Sequence, residues 1–103
     1  MSYYVDLDGT LAQYEQWEGP EVIGEPVPAM MERVRAWQRA GKTVKIFTAR
    51  ASVPENIPPV ERWLAKHGLH QCEVTAIKGF DGLEFWDDRA VTVEKNTGRI
   101  LTR

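Results

Sequence analysis

Tyr3-Tyr4-Val5-Asp6-Leu7-Asp8-Gly9-Thr10 is the stretch on which the reading of this chain turns. Ser2 to Val5 has the aromatic and β-branched composition of a short buried strand, and it runs without a break into two aspartates. One residue separates Asp6 from Asp8, so in an extended chain both carboxylates share a face, and Gly9 supplies the sharp turn that ends the strand.

Working outward, the elements alternate. Leu11 to Pro28 holds Gly19, Pro20, Gly24, Pro26 and Pro28 among scattered aromatics and reads as a loop or loose hairpin of a length that is often functional. Met30, Met31, Val34 and Trp37 then recur at helical spacing, with Pro28 near the first turn and Gly41 where a C-terminal cap glycine belongs. Thr43 to Phe47 predicts a second strand, ending at Thr48-Ala49-Arg50. Val60, Trp63 and Leu64 predict a second helix, from Pro58 or Pro59 to His67. Glu73 to Ile77 predicts a third strand and Leu83 to Trp86 a fourth, running into Asp87-Asp88. Val91 to Val93 and Arg99 to Leu101 flank Asn96-Thr97-Gly98 as a small C-terminal hairpin. Strands alternating with helices imply right-handed crossovers and a mainly parallel sheet covered on both faces, an α/β three-layer sandwich of Rossmann-like form. Ligands bind such sheets beyond the carboxyl ends of the strands. Asp6 and Asp8, Thr48, Lys78, and Asp87 with Asp88 fall at four of those ends.

The 103 residues suit a single domain. A hydrophobic share of 43% and a charged share of 27% are those of a globular protein, and the formal charge of −2 carries no nucleic-acid footprint. Nucleic acid is therefore possible but not indicated. The single cysteine, Cys72, excludes an internal disulfide and reads as a buried thiol. No apolar run approaches a membrane span, and the chain opens on a strand without a charged-then-apolar leader, so cytoplasmic location is expected.

Two carboxylates as close as Asp6 and Asp8 cannot both ionise easily unless a cation neutralises them or one stays protonated, and Asp87 and Asp88 bring the number at the site to four. An all-oxygen donor set suits a hard cation, and Mg²⁺ is the expected one, keeping waters while accepting one or two carboxylates and a substrate phosphate. A hydroxyl from Thr48 and a positive charge from Lys78 suit the oxygens of a transferring phosphoryl group.

Together these residues resemble the motifs of the haloacid dehalogenase (HAD) superfamily of phosphohydrolases. Asp6-Leu7-Asp8-Gly9-Thr10 resembles its first motif, Thr48 after Val44-Lys45-Ile46-Phe47 its second, Lys78 its third and Asp87-Asp88 its fourth. The tighter resemblance, through Thr48-Ala49-Arg50 and Asp87-Asp88-Arg89-Ala90, is to small phage- and capsule-associated members. The resemblance implies that Asp6 attacks phosphorus and ligates Mg²⁺. Asp8 would serve as general acid and then general base, with its backbone carbonyl on the metal. Thr48 would bond the phosphoryl group, Lys78 would hold Asp6 and the phosphate together, and Asp87 and Asp88 would complete the metal site. Neither Leu11–Pro28 nor Thr48–Lys78 is long enough to hold the cap domain of larger members. A capless phosphomonoester hydrolase is expected, acting on a phosphorylated small molecule or the phosphate terminus of a larger substrate, with an oligomer possible. A nucleic-acid 3′-phosphatase and an idle binding module of the same fold are the alternatives. The idle form would usually lack the nucleophile or the general acid, and both are present.

Other residues stay open at this level. Arg50 either contacts substrate, stands exposed or pairs with a loop carboxylate, and Arg89 reads as a structural ion pair. Tyr14 and Trp17 either cover the site or anchor their loop. His67 and His70 read as solvated or capping residues. Glu84 sits awkwardly inside a short strand.

Overall fold

The chain's first strand, β1 (Ser2–Val5), lies in the middle of a four-stranded sheet. In the computed structural model, which describes residues 1–101, β1 pairs in parallel with β2 (Thr43–Phe47) on one side and with β4 (Gly82–Trp86) on the other. Strand β3 (Glu73–Thr75) adds in parallel to the outer edge of β2, giving the order β3-β2-β1-β4. The expected parallel α/β sheet is therefore present. β3 is two residues shorter at its end than its sequence implies, because Thr75 Oγ1 accepts the Ile77 N–H and turns the chain away.

Helix α1 (Pro28–Arg39) connects β1 to β2, and α2 (Ile57–Lys66) connects β2 to β3. Proline opens α1 where its missing N–H costs nothing. Beyond its end, Gly41 adopts a φ of +78° while Lys42 N–H reaches the carbonyl of Trp37 at 2.9 Å, closing the last turn. Met30, Met31 and Val34 of α1 and Val60, Trp63 and Leu64 of α2 join Val5, Val44 and Ile46 in one buried cluster. Both helices thus cover the same sheet face. At its edge Tyr3 stacks on Trp37 with ring centroids 4.4 Å apart, and Trp37 meets Trp86 edge-on.

The opposite face carries Tyr4, Lys45, Phe47 and Phe85. No helix lies on this face among the described residues; the connection from β3 to β4 crosses it instead. Asp81 accepts from Ser2 Oγ (2.6 Å) and the Tyr4 hydroxyl (2.5 Å) and pairs with Lys45 Nζ at 2.9 Å. Those bonds hold the Asp81 carboxyl well below the usual carboxylate range, the Ser2 hydrogen bond foremost. A Cβ at Gly79 would collide with the Tyr4 hydroxyl, so a close crossing needs glycine there.

The C-terminal hairpin reduces to one antiparallel bridge, Val93 to Ile100, around a turn with Asn96 and Gly98 at positive φ. Glu84 is exposed on the edge strand and accepts from Trp86 Nε1 at 3.0 Å, so its charge is not buried. Cys72 is buried as expected, and burial pushes its thiol up to about 11. No described helix is long and apolar enough to cross a membrane.

Candidate active site

The turn after β1 is built around a single carbonyl. Leu7 C=O accepts the N–H groups of Thr10, Leu11 and Ala12, at 3.2, 3.0 and 2.9 Å, which folds the chain back sharply after Asp8. Gly9 sits at φ +88° in that turn. Asp6 N–H donates to Trp86 C=O at 2.9 Å and so locks the end of β1 to the end of β4, setting Asp6 beside Asp87 and Asp88. Thr10 completes the junction. Its hydroxyl donates to Asp88 Oδ1 at 3.1 Å and accepts the Asp88 N–H at 3.0 Å.

Asp6, Asp87 and Asp88 each bring a carboxylate oxygen within 4.8 Å of the others. The electrostatic consequence falls on Asp6, whose carboxyl is pushed up to about 7. Burial is the largest cause, followed by the charge of Asp87 and a hydrogen bond with Asp88, while a hydrogen bond from the Leu7 backbone pulls the other way. A half-buried carboxylate raised by desolvation and like charges is a group that gains from a cation. The donor set is all oxygen, which fits a hard divalent ion such as Mg²⁺.

A cavity of about 310 Å³ opens at this carboxyl edge. Asp6, Asp8 and Asp88 line its acidic side, and Thr48 and Arg50 enter from the end of β2. Thr48 is buried, with its backbone N–H on Thr75 C=O at 2.9 Å and its Oγ1 accepting the Arg50 N–H at 3.2 Å, as the cap of a short 3₁₀ turn over Ala49–Ser52. That cap swings Arg50 back under the site.

Arg50 resolves the question the sequence left open. Its Nε donates to Asp8 Oδ2 at 2.7 Å and its Nη2 to Asp8 Oδ1 at 2.9 Å, a bidentate pair. The arginine is only 6% exposed. Its remaining donors go to the loop after β1, from Nη1 to Pro20 C=O (3.2 Å) and from Nη2 to Val22 C=O (3.0 Å), and its guanidinium lies 4.8 Å from the centre of the Trp17 ring. The loop is a closed strap. Gln13 N–H to Glu25 C=O and Val27 N–H to Leu11 C=O, both 2.8 Å, pin its base. Trp63 Nε1 holds Gly24 C=O at 3.0 Å, and Arg62 pairs with Glu21 at 2.7 Å. Tyr14 and Trp17 on this strap form another wall of the cavity.

Lys78 is the predicted residue that does not join this group. Its ammonium lies 5.0 Å from the centre of the Phe85 ring, on the sheet face without helices, and it does not line the cavity. The cations that do are Arg50 and Arg89, together with the carboxamide of Asn56 as a neutral donor. The sequence assigned Arg89 a structural ion pair, yet no carboxylate among the described residues partners its side chain. Asn56 carries no signal in the sequence, because only the turn Pro54–Asn56 preceding α2 brings it to the cavity. Compared with protein-family models, curated proteins and solved structures, the chain matches none.

Proposed function

We propose that this protein is a Mg²⁺-dependent phosphomonoester hydrolase in which Asp6 is the covalent nucleophile. The observation that carries the reading is the convergence, in one cavity at the carboxyl edge of a parallel sheet, of a half-buried carboxylate with a raised pKa, a second aspartate two residues on, and a buried threonine. The HAD resemblance supplies the roles.

Asp6, Asp87 and Asp88 would hold the cation, which when bound neutralises charge between nucleophile and phosphate. The Asp6 carboxylate attacks phosphorus and the ester oxygen leaves, taking a proton from Asp8; an aspartyl-phosphate on Asp6 results. Asp8 then accepts a proton from the water that attacks this phosphorus, releasing phosphate and regenerating Asp6. Thr48 donates its hydroxyl to the phosphoryl oxygens, and Arg89 supplies positive charge at the cavity. A counter-charge role for Lys78 requires its ammonium to leave the Phe85 ring when substrate binds. Asp8 has a matching requirement: both its oxygens accept from Arg50, so the proton it carries must use the lone pairs that the guanidinium leaves free.

The experiment is a phosphate-release screen over phosphomonoesters with and without Mg²⁺. Wild type releases phosphate only with the metal, Asp6→Asn none, and Asp8→Asn is slower by ~10²–10⁴-fold, the value of a general acid or base. A wild type inactive on every ester in the presence of Mg²⁺ removes the reading.

A further inference from the structure

The cavity's aromatic wall is arranged with more care than a water-filled cleft requires. Trp17 is 52% exposed and Tyr14 is 42% exposed, although both line the site. An indole on a loop would ordinarily be free to turn, but this one rests on a guanidinium whose other contacts are fixed. Arg50 is held by Asp8, Pro20 and Val22, and the strap around Trp17 is pinned to α2 through Gly24 and Glu21. One ring face is thus taken by a cation, which holds the indole by cation–π attraction. The substantial exposure of the residue leaves aromatic surface open at the cavity. Among the other residues lining the cavity, the Asn56 carboxamide makes no hydrogen bond to any described residue, and neither does the Arg89 guanidinium. A carboxamide offers a donor and an acceptor side by side, the pattern that reads the edge of a heterocycle, while a free guanidinium suits phosphate oxygens.

We propose that Trp17, positioned by Arg50, is a stacking platform that selects phosphomonoesters carrying a flat heterocycle, and that the substrate class is nucleoside monophosphates. Base and indole stack on the strap side, Asn56 meets the base edge, and the phosphate lies toward Asp6, Thr48 and Arg89. Because the platform is part of the folded strap, the protein needs no separate cap to recognise the leaving group. The proposal rests on the phosphatase reading for its reaction, but its binding arm does not.

The test uses Asp6→Asn protein with Mg²⁺, titrated calorimetrically with adenosine 5′-monophosphate, adenosine 3′-monophosphate and ribose 5-phosphate. Stacking of one base on an aromatic side chain predicts tighter binding of at least one adenosine phosphate than of ribose 5-phosphate by roughly 5- to 150-fold, the equivalent of about 1–3 kcal/mol. Adding Trp17→Ala should collapse that ratio to within about twofold. Adding Trp17→Phe, which keeps a ring, should retain most of it. A ratio near one with Trp17 intact, or one that survives Trp17→Ala, overturns the proposal. Circular dichroism checks that each variant is folded. Should the alanine variant not fold, Trp17→Leu, which keeps apolar bulk without a ring, takes its place with the same expected collapse. Turnover by the Asp6-intact protein separates the two readings. A preserved ratio without phosphate release sinks the hydrolase and leaves the platform, while release without a ratio does the reverse.

Discussion

Replacing Gly9 by alanine tests the turn and the metal site with one methyl group. At φ +88° the backbone of Gly9 occupies a region that a side chain makes costly, by ~1–2 kcal/mol. In a domain of about a hundred residues that lowers the thermal midpoint by roughly 4–16 °C. The new Cβ would also stand 2.6 Å from Asp88 Oδ2, 2.8 Å from its Cγ and 2.9 Å from its Oδ1. Such contacts are too short to persist, so the carboxylate swings away from Asp6 and Asp87 and loses its bond from Thr10. If Asp88 is a ligand, Mg²⁺ binding weakens, and each tenfold loss removes about 1.4 kcal/mol of metal-dependent stabilisation at saturating ion. Thermal unfolding followed by circular dichroism, in chelator and then in excess Mg²⁺, separates the two effects. Gly9→Ala should melt lower than wild type in chelator and show a smaller upward shift with Mg²⁺. In an Asp88→Asn background the alanine should leave the Mg²⁺ shift unaltered, since the ligand it displaces is already gone. An unchanged midpoint in chelator refutes the strain argument. A full Mg²⁺ shift in Gly9→Ala refutes the placement of Asp88 on the metal.

Two further outcomes follow from the charges of the site. Asp6 titrates at about 7 when folded against 3.8 for an ordinary aspartate, so the metal-free folded state holds its proton more tightly than the unfolded chain does. Metal-free stability should therefore fall as pH rises from about 4 to about 7, a slope that Asp6→Asn removes; because Mg²⁺ competes with that proton, its thermal shift should be larger near pH 8 than near pH 5.5, and equal shifts would contradict a role for Asp6 as ligand. Arg50→Ala leaves Asp8 unpaired in a setting where its side chain is only 20% exposed, so urea denaturation should show a loss of about 3 kcal/mol, with Arg50→Lys intermediate. The same variant should speed hydrogen exchange at the Gln13 and Val27 amides that close the strap, and retained protection there would show that the strap docks without Arg50.

Much of this site is legible in one dimension because strand ends are local events. A short aromatic and β-branched run, broken by Asp6-Leu7-Asp8-Gly9, announces both where β1 stops and which groups it delivers, and Thr48 and Asp87-Asp88 do the same for β2 and β4. The helix ends are equally local, since Gly41 and Gly68 are needed wherever the chain turns left-handed after α1 and α2. What the sequence could not decide is which long side chain meets which partner. Arg50 and Asp8 lie 42 residues apart, and only the parallel pairing of β1 with β2, followed by the cap of Thr48 on its 3₁₀ turn, brings the guanidinium beneath the carboxylate. Lys78 shows the reverse. Its position at the end of β3 suggests the site, but the early turn after Thr75 sends its ammonium over Phe85. The same turn leaves the second sheet face to a short crossing held by Asp81 in place of a helix. Periodicity and caps are set by neighbours along the chain, and they fix elements and their ends. The pairing of charged and aromatic side chains is set by topology and packing, and it made Arg50 the link between Asp8 and the aromatic strap.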